Sequence, residues 1–333
     1  MLTIRKIGFL VILAFLCHVP SEAQTHIGKS RFAFSITPLT GIIYGQVEEF
    51  LYKYTDSNQF VSQLIWDLKP LFYLGLKADF GPSNPFETSG FSALGSIKLG
   101  LPLKTGIMED RDWNDDYADY LTHYSCHEAY IQKVDILADL SMGYSWRITD
   151  SLAFGTFFEF SYMYFSWLAK NGYYQYAEKV GGHYNEWDES IEKKPVYGTG
   201  IRYIQQYFIF SPGLSLSIKI SGLFSLKGAF NYTPLIYCED RDDHYMANMV
   251  FYGYFSFGRF INSESSFIFT PLKNLEFSFS MAFRSIAGLR DITYYAITVN
   301  EVPGPYIKNY EGGVKYTAID LKLAARIRVF GRR

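Results

Sequence analysis

The feature that most restricts this chain is alternation sustained over long runs. Leu275, Phe277, Phe279, Met281 and Phe283 interleave with Asn274, Glu276, Ser278, Ser280, Ala282 and Arg284. The same pattern places Ile319, Leu321, Leu323, Ala325, Ile327 and Val329 between Asp320, Lys322, Ala324, Arg326 and Arg328. It recurs over Val134–Gly143 and over Leu214–Ser221. A two-residue period with one apolar face is a β-strand. Runs of about ten residues outlast the usual five or six and match a tilted strand crossing lipid. Strands in lipid must close on themselves, because no water is there to satisfy a free edge. A secreted β-sandwich competes, but its strands would be shorter.

The expected fold is therefore all-β, a single ten-stranded antiparallel transmembrane barrel with short periplasmic turns and long extracellular loops. Lys219, Lys322 and Arg326 are expected in a polar lumen, and Tyr144, Trp146, Tyr162 and Trp167 in the interfacial belts. The chain opens "MLTIRKIGFLVILAFLCHVPSEAQ", a short basic start, an apolar run too short to span, and small residues before Gln24. That reads as a signal peptide over residues 1–23, leaving residues 24–333 as one exported domain. No later apolar run is long enough for a membrane helix, although 48% of residues are hydrophobic and 19% aromatic. A net charge of −2 without a basic patch argues against nucleic acid. Tight turns in "SWRITDSLAF", "SIKISGLFSL" and "FTPLKNLEF" alternate with long polar stretches such as Thr105–Tyr130, Lys170–Tyr197 and Cys238–Asn248.

Two of those stretches carry chemistry. "MEDRDWNDD" packs five carboxylates into nine residues, and "LTHYSCHEAY" follows with His123, Ser125 and His127. "YCEDRDDHYMAN" brings Asp240, Asp242, Asp243 and His244. A solvated acidic loop is the bland reading. If the two stretches face each other across a barrel mouth, an Asp–His pair opposite a carboxylate pair can activate water. Asp and His in loops also make calcium or zinc sites, but no tetrahedral Cys/His spacing is present, and no metal or cofactor is expected. Cys126 and Cys238, the two cysteines beyond the signal, are a candidate disulfide in an exported chain.

"MEDRDW", "LTHYSCH", "EDRDDHY" and the earlier "VSQLIWDL" resemble the omptin family of outer-membrane endopeptidases, in order and at similar separations, over nearly all of the mature chain. The resemblance implies a water-activating set of Asp110 and Asp112 facing Asp242 and His244, with Ser125 and His127 beside it. It implies that Glu49 (or Glu48, one residue away) and Asp240 grip a basic side chain before the scissile bond, and that His123 stands in the pocket after it. Family members carry an acidic residue at that last position, so strict dibasic cleavage is not expected here. Of the family's lipopolysaccharide contacts only Glu159 matches, with Phe157, Ser161 and Gln206 in place of others. The chain also ends "RVFGRR", so Phe330 is not terminal.

These readings converge on a monomeric cell-surface protease acting on peptides with basic residues. The outer-membrane lipid is its other partner, and the site opens on the extracellular face. The alternatives are an idle barrel of the same shape serving as adhesin or receptor, and a passive pore. Both need a barrel whose site does no chemistry.

Overall fold

The structure, a computed structural model, describes residues 32–53, 56–115, 119–299 and 302–330. The expected signal peptide, residues 1–23, lies outside them. The elements are β1 (Phe32–Lys53), β2 (Asp56–Pro82), β3 (Gly90–Gly100), β4 (Lys104–Asp112), β5 (His123–Ile131), β6 (Asp135–Arg147) and β7 (Leu152–Tyr176). They continue as β8 (Lys179–Val180), β9 (His183–Tyr184), β10 (Lys194–Lys219), β11 (Phe224–Thr233), β12 (Ile236–His244) and β13 (Met249–Ser256). The last are β14 (Arg259–Leu272), β15 (Leu275–Val299), β16 (Val302–Pro303) and β17 (Ile307–Phe330).

Antiparallel pairing runs β1, β2, β3 with β4, β6 with β5, β7, β10, β11 with β12, β14 with β13, β15, β17 and back to β1. This is a closed ring of ten staves, as the alternation requires. Four staves break into two strands each, and the breaks divide a lower tier (β3, β6, β11, β14) from an upper tier (β4, β5, β12, β13). The turns at residues 148–151, 220–223 and 273–274 are short, as expected, and all lie at the lower end.

The lower tier turns bulky apolar side chains outward. Phe72, Leu74 and Leu76 on β2, Leu214, Leu216 and Ile218 on β10, and Phe277, Phe279 and Met281 on β15 are all exposed. A girdle of this kind far exceeds the apolar patch a water-soluble surface carries, and it suits lipid. Inside the same tier the charges pair. Lys98 meets Asp320 at 2.5 Å and Lys322 meets Glu264 at 2.9 Å. Arg326 reaches Asp79 at 2.5 Å and Glu276 at 3.1 Å. Lys322 and Arg326 thus occupy the lumen as expected, whereas Lys219 is exposed at the turn end of β10.

Above these ion pairs lies a buried aromatic layer. Trp66 stacks on Tyr203 at 5.7 Å and on Trp167 at 6.0 Å, with Phe165 beside Trp167 at 5.0 Å. Trp167 therefore belongs to the core and not to an interfacial belt, while Tyr144 and Trp146 pack together on the outer wall at 4.9 Å. Glu159 also departs from expectation. It faces inward and accepts from Asn231 Nδ2 at 3.1 Å, because its outward neighbour in the alternation is Phe158, which is 52% exposed. A lumenal carboxylate cannot touch lipid on the outer wall.

The stretches expected to be long loops are mostly strand. β4, β5, the upper part of β7 and β12 carry the ladder well past the apolar girdle. The reason is physical: above the lipid the outer face has no need to be apolar, so the alternation fades while the backbone pairing continues. The described residues from Phe32 to Phe330 form this one ring.

Candidate active site

Alternation sorts the acidic cluster on β4. Glu109 points outward and accepts from Arg111 Nη2 at 2.6 Å and Tyr124 Oη at 3.0 Å. Asp110 and Asp112 point inward, opposite the buried Leu64 and Ser62 of β2 and the buried Ser125 and His123 of β5. Asp115 is buried and accepts from the Tyr184 backbone N–H at 2.8 Å, clasping the β8–β9 segment. Asp116 falls outside the described residues. Both aspartates therefore sit on paired strand, held more firmly than a loop would hold them.

Across the mouth, β12 alternates in the same way. Asp240, Asp242 and His244 face inward, while Asp243 faces outward between Arg202 Nη2 at 2.8 Å and Arg241 Nη2 at 2.7 Å. His244 Nε2 lies 2.5 Å from Asp242 Oδ2. β4 belongs to the third stave and β12 to the seventh, so the two sets stand on opposite walls. Their charges act on each other. Burial raises Asp110 well above the ordinary carboxylate range; Asp112 and Asp242 add to the shift, and His244 opposes it. Asp112 is raised by burial, against a hydrogen bond from Ser62 and the pull of His244. Burial alone would depress the His244 imidazole, but Asp242, Asp110 and Asp112 together push it up to about 9.

Next to this gap is a cluster of buried carboxylates. Glu49 on β1 is buried and inward-facing; burial raises its pKa strongly, and Asp242, Asp240 and Asp110 add to the rise. Glu48 takes the other face and accepts from Lys315 Nζ at 2.8 Å, so Glu49 is the one that joins the inward cluster. Asp240 accepts from Tyr203 Oη at 3.0 Å and from the Gly253 N–H at 2.7 Å. Only glycine allows that approach, since a Cβ at position 253 would come within 2.4 Å of Asp240 Oδ1. Burial carries Asp240 up to about 7 despite these donors. Glu49 Oε2, Asp110 Oδ1 and Asp242 Oδ1 are buried without a protein hydrogen-bond partner among the described residues. Buried acceptors are rarely left so, and three around one gap mark a place for a donor from outside the fold.

The remaining expected residues fall beside the gap. Ser125 Oγ lies 3.0 Å from His127 Nε2, and His127 Nδ1 lies 2.5 Å from the Asn171 carbonyl. A backbone carbonyl thus stands where a relay carboxylate would be, in a bulge where Gly172 adopts φ 110°. His123 is buried between Tyr176 and Tyr184, at ring separations of 4.3 Å and 4.7 Å. The candidate disulfide is not formed: both thiols are free. With Ser125 and His127 facing inward, Cys126 must face out, whereas Cys238 is buried inside beside Tyr207. Sequence reading did not single out Ser62, Tyr176, Tyr203 or Gly253, because no local pattern marks residues that act through cross-strand pairing.

Comparison with known proteins agrees with this architecture. The omptin family model matches residues 30–324. The plasminogen activator of Yersinia pestis is 26% identical over 220 residues, covering 66% of this chain and 65% of that protein. The chain thus spans about two thirds of that relative's length. The outer membrane protease OmpP of Escherichia coli (strain K12) is 26% identical over 241 residues, covering 69% of this chain and 70% of that protein. The crystal structure of the outer membrane protease OmpT from Escherichia coli superposes with a TM-score of 0.76 at 17% identity, covering 91% of this chain and 99% of that one, a likeness of fold. On the family match and the closed ten-stave ring together, this chain belongs to the omptin family.

Proposed function

We propose that the protein is an outer-membrane endopeptidase that hydrolyses peptide bonds after Arg or Lys, with its site on the extracellular face. The observation that carries this reading is the convergence of partnerless buried carboxylate oxygens from Asp110, Asp242 and Glu49 on one gap. A water between the walls donates to Asp110 and is positioned to attack the carbonyl. His244 donates Nε2–H to Asp242, which leaves Nδ1 to take the proton of that water. Asp242 fixes the tautomer and stabilises the imidazolium that forms, which then gives its proton to the departing amine as the C–N bond breaks. Asp110 and Asp112, both raised, share a proton and can give it to the developing oxyanion.

Glu49 and Asp240 below the gap match a guanidinium or ammonium in charge, and a bidentate carboxylate pair favours Arg in particular. The substrate cation also alters the base. Its charge joins the field that holds His244 near 9 and lowers that pKa, so binding frees the imidazole to act. The test is a fluorogenic Arg-containing peptide offered to wild type, His244→Ala and Asp112→Asn in detergent, with and without lipopolysaccharide. Cleavage after Arg by wild type, lost in both variants, is the expected result. Equal inertness of all three would transfer the assignment to an idle receptor barrel.

A further inference from the structure

The upper tier has a direction. Glu49 lies on the first stave, to one side of the line joining β4 and β12, whereas β5 and β7 lie to the other. A peptide whose basic side chain enters the Glu49 pocket therefore sends its next residue toward β5 and β7. There the cross-strand row runs Ser62, Asp112, His123, Tyr176, each directly opposite the next. Tyr176 closes that row. Tyr176 is 48% exposed, while His123 behind it is only 8% exposed. Tyr174 packs on Tyr176 at 4.6 Å, and Tyr184 seals the far side of the imidazole at 4.7 Å. The surface offered to a substrate is thus tyrosine, with the histidine as its backing.

We propose that Tyr176 is a specificity-determining residue, forming a flat aromatic subsite that favours an aromatic side chain immediately after the scissile bond. This rests on the endopeptidase reading above and names the substrate class of the same cleft. Aromatic faces reward ring-on-ring contact beyond simple burial. His123 reinforces the choice by carrying no charge, since burial depresses its pKa. Asp115 holds the arrangement in register: it accepts from the Tyr184 N–H at 2.8 Å, and Tyr120 Oη donates to the Tyr184 carbonyl at 2.8 Å.

The full-length protein in detergent is given two fluorogenic peptides identical up to Arg and bearing Phe or Gly after it. Wild type is expected to favour Phe in kcat/KM by about tenfold. Tyr176→Phe keeps that preference within about twofold and Tyr176→Ala removes it, with boiling-dependent gel mobility confirming that both variants fold. Calorimetry with uncleavable reduced-amide versions of the two peptides separates the subsite from the chemistry. Hydrolysis with the same Phe:Gly ratio in wild type and Tyr176→Ala overturns the subsite alone. No hydrolysis, but tighter binding of the Phe peptide that Tyr176→Ala abolishes, upholds the subsite and overturns the protease reading. Neither hydrolysis nor a Tyr176-dependent binding difference overturns both.

Discussion

Asp242 Oδ2 lies 2.5 Å from His244 Nε2, and the aspartate is buried while the histidine reaches the gap. The carboxylate is an acceptor, so it selects the tautomer that leaves Nδ1 basic. Asp242→Asn would present an amide able to donate and so favour the opposite tautomer. The expected result is a fall in kcat of roughly 10³–10⁴ with KM nearly unchanged, measured on an Arg peptide.

The pKa of Asp110 is raised well above the ordinary carboxylate range, chiefly by burial. A carboxylate raised in the fold contributes stability below its unfolded pKa and loses it as pH rises through the folded value. Asp110→Asn removes that liability. Its melting temperature should exceed wild type by a few degrees at pH 8 and match it near pH 4, an order-of-magnitude expectation from linkage. A variant that melts lower than wild type at pH 8 would count against the strained carboxylate.

Substrate charge should be visible in the pH profile. The free enzyme holds His244 near 9, so the acid limb of kcat/KM, which reports the free enzyme, should fall in that region. The limb of kcat reports the complex and should lie at lower pH, because the bound cation lowers the imidazole. Coincident limbs would show that the cation does not reach the field of the base.

In the pocket, Asp240 titrates near 7 and Glu49 above its usual range. Discrimination of Arg over citrulline should strengthen as pH rises through 7. Glu49→Gln or Asp240→Asn should each weaken it by tenfold or more, on the order of one charge-assisted hydrogen bond. Equal cleavage of the Arg and citrulline peptides by wild type would remove the pocket's assignment.

The thiols make a separate check on the wall geometry. Cys126 is partly exposed on the outer face and Cys238 is fully buried. A polar maleimide should label the first in the folded protein and the second only after denaturation. Labelling of both at equal rates would contradict their placement on opposite sides of the sheet.

The lower tier was legible in the chain because lipid forces every outward residue to be apolar. Leu275–Phe283 and Ile319–Val329 therefore announce themselves. Above the lipid that pressure vanishes, and β4, β5 and β12 read as loops although they are paired strand. The motif residues Asp110, Asp112, Asp242 and His244 could still be picked out by type and spacing. What could not be read was facing. Glu159 inward, Cys126 outward and Trp167 in the core each turn on the parity of one position relative to a strand whose register is set by distant partners. The exclusion of Glu48 from the pocket has the same origin.

The closed pairing of the described upper strands has one more consequence. A groove walled by continuous ladder cannot part to admit a globular surface, so its width is fixed. On the proposed endopeptidase reading, a substrate must come to it as a thin, pliable thread: an unstructured tail, a denatured segment or a projecting loop long enough to lie between the walls. Susceptibility among target proteins should therefore follow their local unfolding more closely than their total content of arginine and lysine.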